Sequence, residues 1–180
     1  MTFGNTAATQ SKALFSIRVA PSVDNGVAAA FGARELINRM QLILRALDIT
    51  TKTANSNLLV TAVLNGIPST ATTWTNAVGN SLVRANSSLA QIADYSNATG
   101  AFTAVTGGEI TGGFFVGAGA NSVDLATVRD LGNSILGGGG TNANTNVYPD
   151  GPDVLTIVVT NLGPVASDVL GRLSWTEAQA

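Results

Sequence analysis

Short stretches of apolar, largely alternating residues recur along this chain and are separated by clusters of Gly, Asn, Ser, Thr and Pro. An alternation with a period of two places one row of side chains on a core and the other towards water, which is typical of a β-strand. Short strands divided by turn clusters, with few segments of helical periodicity, favour an antiparallel all-β fold. We therefore predict a mainly β protein: an antiparallel β-sandwich of jelly-roll-like form with one or two short helices.

The clearest strand near the start of the chain runs from Ala13 to Val19. The side chains predicted to face a core are Phe15, Ile17 and Val19. Between them, Ser16 and Arg18 are predicted to face water because they occupy the other phase of the alternation.

Two further strands are predicted near the end of the chain, one around Leu155 to Thr160 and one around Val169 to Thr176. The segment Asn161 to Pro164 between them is rich in turn residues, so the two strands are expected to form an antiparallel pair. Trp175 lies on the inward phase of the second strand, which predicts that it packs in the core.

The stretch from Ala33 to Thr50 fits both a helix and a strand. We divide it into a short helix from Ala33 to Arg39 and a strand from Met40 to Thr50, paired with a strand that begins at Leu58. That last strand, LLVTAVL, is apolar on both faces, which predicts a central position in a sheet or a contact with another subunit.

The middle of the chain predicts two more strands, Ser88 to Tyr95 and Ile110 to Val116. The Ser88 and Gln91 spacing leaves a capping box that opens a helix as an alternative for the first. A second short helix is predicted from Asp124 to Leu136, because its apolar residues recur at helical spacing and Gly137 follows.

The composition excludes most catalytic chemistry. The chain has no histidine and no cysteine, and only 11% of its residues are charged. A Ser-His-Asp triad, a thiolate nucleophile and most transition-metal sites are therefore absent, and Lys12 and Lys52 lie in no motif that would lower a lysine pKa. We predict no enzyme activity, no catalytic residues, no bound cofactor and no metal.

The same composition bears on partners. The net charge is −2 and the nine basic residues are scattered, so nucleic-acid binding is not expected. Without a long apolar run, no membrane association is expected either. A surface with little charge gives little mutual repulsion, which favours packing against copies of the same chain.

The segment PDGPD, from Pro149 to Asp153, is the one place where a hard cation is conceivable, because Asp150 and Asp153 offer oxygen ligands. Two prolines that fix φ and a central glycine favour a rigid turn instead. We predict that this corner fixes where the next strand enters its sheet.

Two aromatic residues are predicted partner contacts. Trp74 lies in a polar stretch and is the aromatic side chain expected to meet a partner or a glycan. Phe3 lies near the amino terminus, ahead of a polar segment, and is expected to act as an apolar plug on a neighbouring subunit.

Several phrases together resemble a known group of proteins. They are ARELINRMQL, SSLAQIADYSN, TGGEITGGFFV, VRDLGNSILGGGG, VYPDGPDVLTIVV and GRLSWTEAQA. These phrases are similar to a β-rich module of virion structural proteins in tailed bacteriophages, especially marine cyanophages, and the similarity extends from about Arg34 to Ala180.

The resemblance implies a non-enzymatic building block located in the virion, on the tail, baseplate, fibre or capsid surface. Its implied partners are other virion proteins and copies of itself. Residues 1–30 would then be an amino-terminal docking arm with the first strand, and residues 31–180 the β-sandwich virion domain. The alternative is a receptor-binding module that recognises a host-surface glycan through Trp74.

Overall fold

A computed structural model describes twelve stretches of the chain. They are residues 2–6, 10–20, 22–24, 36–37, 41–51, 57–77, 90–95, 104–117, 120–124, 135–137, 152–164 and 166–178.

These residues form a mainly β structure whose paired strands are all antiparallel. In chain order the strands are β1 (Thr2–Thr6), β2 (Ser11–Val19), β3 (Ser22–Asp24), β4 (Leu36–Ile37), β5 (Gln41–Thr51), β6 (Leu58–Leu64), β7 (Ile67–Pro68), β8 (Thr75–Asn76), β9 (Ala90–Asp94), β10 (Val105–Thr106), β11 (Glu109–Val116), β12 (Ala120–Asp124), β13 (Ile135–Gly137), β14 (Val154–Asn161) and β15 (Ser167–Ala178). The mainly β prediction is thereby confirmed. No helix occurs in the described residues, and hence none long and apolar enough to cross a membrane is found there.

The two predicted helices are not seen. In the first, Leu36 and Ile37 form strand β4, which pairs with β3, and the other predicted helical residues lie outside the described stretches. In the second, Asp124 ends β12 and Ile135 begins β13, while residues 125–134 lie outside. Leu36 and Ile135 are each paired with a neighbouring strand. Strand pairing therefore overrides the helical spacing of the apolar residues at these two positions.

The strands form two large sheets. In the five-stranded sheet the order is β1-β15-β5, with β12 and β13 both paired to the far edge of β5. The six-stranded sheet has the order β11-β6-β14-β2-β9-β8. Two small two-stranded sheets pair β3 with β4 and β7 with β10.

Strand β6 lies between β11 and β14 in the six-stranded sheet. The prediction that LLVTAVL occupies a central position is confirmed. The predicted pairing of this strand with the one before it is wrong, because β5 belongs to the five-stranded sheet. The same correction applies to β14 and β15, which were predicted to pair and lie in different sheets. Turn residues show where the chain bends, and they do not show whether the next strand stays in the same sheet.

Strand β2 lies between β14 and β9, and both of its faces are buried. The predicted strand is confirmed and starts two residues earlier, at Ser11. The prediction that Ser16 and Arg18 face water is wrong, since they are only 0% and 7% exposed. They do lie on the face opposite Ile17, but other residues of the chain cover that face.

Strand β5 contains a β-bulge. Ser174 of β15 is opposite Ala46 and Trp175 is opposite Leu44, which leaves Arg45 as the extra residue. The bulge changes the phase of alternation, so that Leu44 and Leu47 are both buried although three positions separate them. The helical alternative for this stretch rested on Leu36, Met40, Ile43 and Leu47, and the strand prediction from Met40 to Thr50 is the one that β5 confirms.

One cluster of buried hydrophobic side chains includes residues of both large sheets. Its larger members are Leu14, Phe15, Ile17, Leu42, Leu44, Leu47, Ile49, Leu58, Leu155 and Ile157. Trp175 is half-buried and packs against this cluster, as the inward phase of its strand predicted. The two sheets therefore share a single main core.

The corner before β14 is held by Asn65. Its Nδ2 donates to Oδ1 of Asp153 at 2.9 Å, its Oδ1 accepts from the Val154 amide at 2.9 Å, and its own amide donates to the Val154 carbonyl at 2.7 Å. Asn65 adopts a left-handed conformation with φ of 54°, which asparagine tolerates better than most residues. These bonds fix where β14 enters its sheet.

Candidate functional site

The six-stranded sheet has a second buried face, on the side away from the main core. Ser16 of β2 and Thr156 of β14 are directly opposite each other on it, and we call it the hydroxyl face. A small cluster of Ala13, Ala93 and Tyr95 is buried here, with Trp74 and Val105 packed against it. Two segments before and after β9 in the chain therefore cover this face.

A chain of hydroxyl groups crosses the hydroxyl face. Ser16 Oγ lies 2.7 Å from Thr156 Oγ1 and 3.0 Å from Tyr95 Oη, and Tyr95 Oη lies 3.3 Å from Thr72 Oγ1. Ser16 and Thr156 are both 0% exposed. A hydroxyl can both donate and accept, so the chain satisfies its buried members without any charged group.

Arg18 lies two residues along β2 from Ser16, on the same face. Its Nε donates to Oε1 of Gln91 at 3.0 Å. Its guanidinium carbon lies 4.1 Å from the centre of the Trp74 ring, which is a cation–π contact. Trp74 and Gln91 thus hold the guanidinium in a fixed plane.

Burial affects the charge of Arg18. Desolvation lowers the pKa of Arg18 from its ordinary value to about 10, because removal of water disfavours the charged form. A pKa of about 10 still leaves the side chain protonated at neutral pH. The hydroxyl face therefore holds a cation that has lost much of its water.

The two predicted partner-contact residues lie in different places. Trp74 is half-buried over the hydroxyl face, and Arg18 contacts its ring. The backbone of Phe3 is in β1 and pairs with Val169 of β15, in the five-stranded sheet. The structure does not bring them together.

Sequence reasoning identified Trp74 and missed Arg18 and the hydroxyl chain. Ser16 and Arg18 had the polar phase of a half-buried strand, which is the ordinary pattern of a solvent-facing row. The one relevant feature of the sequence is that these polar residues alternate with strongly apolar neighbours. It cannot show that residues far away in the sequence cover the polar side of the strand.

The sequence had raised Asp150 and Asp153 as cation ligands. Asp150 lies outside the described residues, and the Asp153 carboxylate accepts from Asn65. Among the residues that the structure describes, no three Asp, Glu, His or Cys side chains group in a way that could hold a metal ion. Of the two lysines considered, Lys12 is 6% exposed and Lys52 is outside the described residues.

The edge strand β11 carries the most exposed large hydrophobic side chains of the described residues. Phe115 is 75% exposed and Ile110 is 69% exposed. A register shift between Ile110 and Gly112 places Ile110 opposite Val63 and Phe115 opposite Leu59. Both exposed side chains therefore lie on the same side of the sheet, which a regular strand would not allow for residues five positions apart.

An open cleft of about 290 Å³ lies between the two large sheets. Its wall includes Phe15 and Ile92 from one sheet and Gly171, Leu173 and Trp175 from the other. The lining is mostly apolar and brings no pair of ionisable groups together.

No protein-family model, no curated protein sequence and no solved structure matches this chain. Its function is therefore inferred from its own residues and their contacts.

Proposed function

We propose that this chain is a non-enzymatic structural component of a tailed-phage virion, which assembles with copies of itself and with other virion proteins. The phrases quoted above, among them VYPDGPDVLTIVV and GRLSWTEAQA, support this proposal by their resemblance to such modules. The low content of charged residues supports it independently, because repeated subunit contacts tolerate a neutral surface better than a highly charged one.

The proposed architecture is an antiparallel β-sandwich of jelly-roll-like form. It is supported by the core cluster that residues of both large sheets share. The chain also passes repeatedly from one sheet to the other, as it does between β5 and β6 and between β14 and β15. A jelly roll has this kind of connectivity.

The observation that carries the self-assembly proposal is the edge strand β11. Among the described residues its one strand partner is β6, so no described strand pairs with its outer edge and a further strand can add there. Exposed apolar side chains on such an edge favour pairing with a further chain. Ile110 and Phe115 give β11 this property.

A second copy of β11 fits this edge in antiparallel orientation. Because Thr111 is the extra residue of the register shift, a twofold axis through Gly113 would set Ile110 opposite Phe115 of the second copy, on the same side of the joined sheet. The two Glu109 residues would then lie at opposite ends of the pair, about 20 Å apart at the usual rise per residue, well beyond the screening length. A parallel pair in register would instead place them side by side.

Phe115→Arg tests this proposal. The substitution would remove the apolar surface of Phe115 at two symmetric places in the dimer. Dimer association is therefore expected to weaken at least roughly 100-fold. Light scattering after size-exclusion chromatography, over a range of concentrations, measures the effect.

The matched control is Leu162→Arg, which changes a 48% exposed leucine outside β11 in the same way. It should leave the association unchanged. A wild-type protein that is monomeric at all concentrations, or an equal effect of both substitutions, would contradict self-assembly through β11.

The amino-terminal segment, residues 1–30 with Phe3, is still proposed to be the docking arm towards other virion proteins. Strand β1 is the other edge of interest, because it forms one side of the five-stranded sheet. Its backbone pairing with β15 is the kind of contact that an arm could also make with a neighbouring subunit.

A further inference from the structure

The guanidinium of Arg18 has donors that the protein does not use. A guanidinium has five N–H donors in a planar fork. In Arg18 only Nε donates a hydrogen bond within the described residues, to Gln91. The contact with Trp74 is made by the face of the group and occupies no donor. Nη1 and Nη2 have no hydrogen-bond partner among the described residues.

No carboxylate of the described residues lies beside this cation. The contacts of Arg18 in the described part of the chain are an amide oxygen and an aromatic ring. Burying a cation without a negative partner is costly, and buried arginines are usually paired for that reason. Arg18 is 7% exposed, and no residue in the described stretches supplies this pairing.

The free donors are open to a ligand. Within the described residues, Thr51 Oγ1 is the one side-chain polar atom that is both fully buried and without a partner. Nη1 and Nη2 therefore retain contact with solvent. They are the part of Arg18 to which a ligand has access, while the side chain as a whole is only 7% exposed.

The surroundings indicate the class of ligand. The two Nη groups of a guanidinium match the two oxygens of a carboxylate in a bidentate pair. The hydroxyl of Thr72, which is half-buried, belongs to the same face and can donate to or accept from a hydroxyl group of a ligand. A carboxylate attached to a hydroxylated ring has both features.

We propose that Arg18 binds the carboxylate of an acidic sugar on the hydroxyl face, with Trp74 and Gln91 orienting its guanidinium. This binding is separate from self-assembly through β11, and either can hold without the other. Binding restores the negative partner that Arg18 lacks.

Isothermal titration tests the site with four probes at constant ionic strength: sodium glucuronate, sodium acetate, sodium sulfate and glucose. Saturable binding of glucuronate is expected, with weaker binding of acetate and none of glucose. Saturable acetate binding equal to that of glucuronate would overturn the assignment of a sugar, because the hydroxyls of the ligand would then contribute nothing. Absence of glucuronate binding, binding of glucose with equal affinity, or tighter binding of sulfate would overturn the proposal.

Two substitutions locate the site. Arg18→Met should weaken glucuronate binding roughly 10- to 100-fold, the usual value of hydrogen bonds to a charged group. Arg172→Met, which removes an exposed arginine from β15, should have no effect. Equal affinity in Arg18→Met and wild type would contradict the assignment. The comparison of the four probes needs no variant, so it decides the proposal even if Arg18→Met fails to fold.

A spectroscopic measurement gives the position independently. The chain has two tryptophans, so Trp175→Phe leaves Trp74 as the only indole reporter. Glucuronate should then change the fluorescence of Trp74 with the affinity measured by titration. A binding isotherm without any change in this fluorescence would place the ligand elsewhere.

Discussion

The guanidinium of Arg18 remains protonated at neutral pH in a place where the sheet leaves it little water. Its pKa in the folded protein is about 10, below the ordinary value that arginine has in the unfolded chain. At pH values between these two, the unfolded chain binds a proton that the folded chain does not. The contribution of this group to stability therefore increases as the pH rises through 10.

This linkage predicts a pH-dependent difference between wild type and Arg18→Met. At pH 8 the arginine is charged in both states, and at pH 11 the folded wild type has lost most of that charge. From pH 8 to pH 11 the free energy of unfolding of wild type should gain on the order of 1 kcal/mol relative to the variant. Urea unfolding of both proteins at the two pH values measures the difference.

The comparison of the two proteins cancels the titration of groups that they share. If the difference in free energy of unfolding between wild type and Arg18→Met stays constant from pH 8 to pH 11, burial does not lower the pKa of Arg18. A change of opposite sign would contradict the linkage itself.

At the scale of single residues, the sequence predicted part of the candidate site. Trp74 was identified because an aromatic residue in a polar stretch is unusual. Arg18 was assigned to water, since its phase in β2 is right for a solvent-facing row. The cover over that row comes from Trp74 and Tyr95, which are far from β2 in sequence, and a local pattern contains no information about them.

At the scale of elements, the turn between β10 and β11 depends on two glycines with different surroundings. Gly107 has φ of 65° and Gly108 has φ of 76°. A Cβ on Gly107 would meet nothing within 4 Å, whereas a Cβ on Gly108 would lie 2.6 Å from the Leu64 carbonyl oxygen. A comparison of alanine substitutions at the two positions therefore separates the cost of backbone strain from the cost of steric overlap.

We expect Gly107→Ala to lower the free energy of unfolding by about 1 kcal/mol, the cost of a left-handed conformation for a residue with a Cβ. Gly108→Ala should cost about 2 to 4 kcal/mol, because overlap with backbone atoms of β6 adds to that strain. Chemical denaturation of the two variants measures both values. Equal costs at the two positions would mean that the close approach to Leu64 is relieved by a small backbone shift.

Element boundaries were predicted better than element partners. The strands around β2, β5, β6, β9, β11, β14 and β15 follow from local alternation and were found within a few residues of their predicted limits. The pairings of β5 with β6 and of β14 with β15 were wrong, because sheet membership is set by contacts across the core. The bulge at Arg45 was not predicted from the sequence pattern, and only the register with β15 reveals it.

At the scale of the whole molecule, the mainly β class followed from the sequence because it depends on many short patterns that agree. Assembly depends on surfaces, which the sequence indicates much less directly. Phe115 and Ile110 looked like ordinary strand residues in a predicted β-strand. Their exposure at an edge, and their position on one side of the sheet, became visible only with the partner strand β6 and the shift in its register.

The proposed pairing of two β11 strands can be tested by a disulfide, because the chain has no cysteine of its own. In the double variant Ile110→Cys/Phe115→Cys, each new thiol would face the other position in the second copy. Within one chain the two positions are about 15 Å apart along the strand, too far for an internal disulfide. In each single variant the residue that faces the new thiol in the second copy is not a cysteine, so the antiparallel pair cannot form a disulfide.

Non-reducing electrophoresis after mild oxidation is therefore the most direct measurement of the central claim, that this chain works by pairing with copies of itself through β11. We predict a covalent dimer of the double variant that disappears on reduction, and monomers of both single variants. A double variant that stays monomeric, or single variants that cross-link equally well, would contradict the claim.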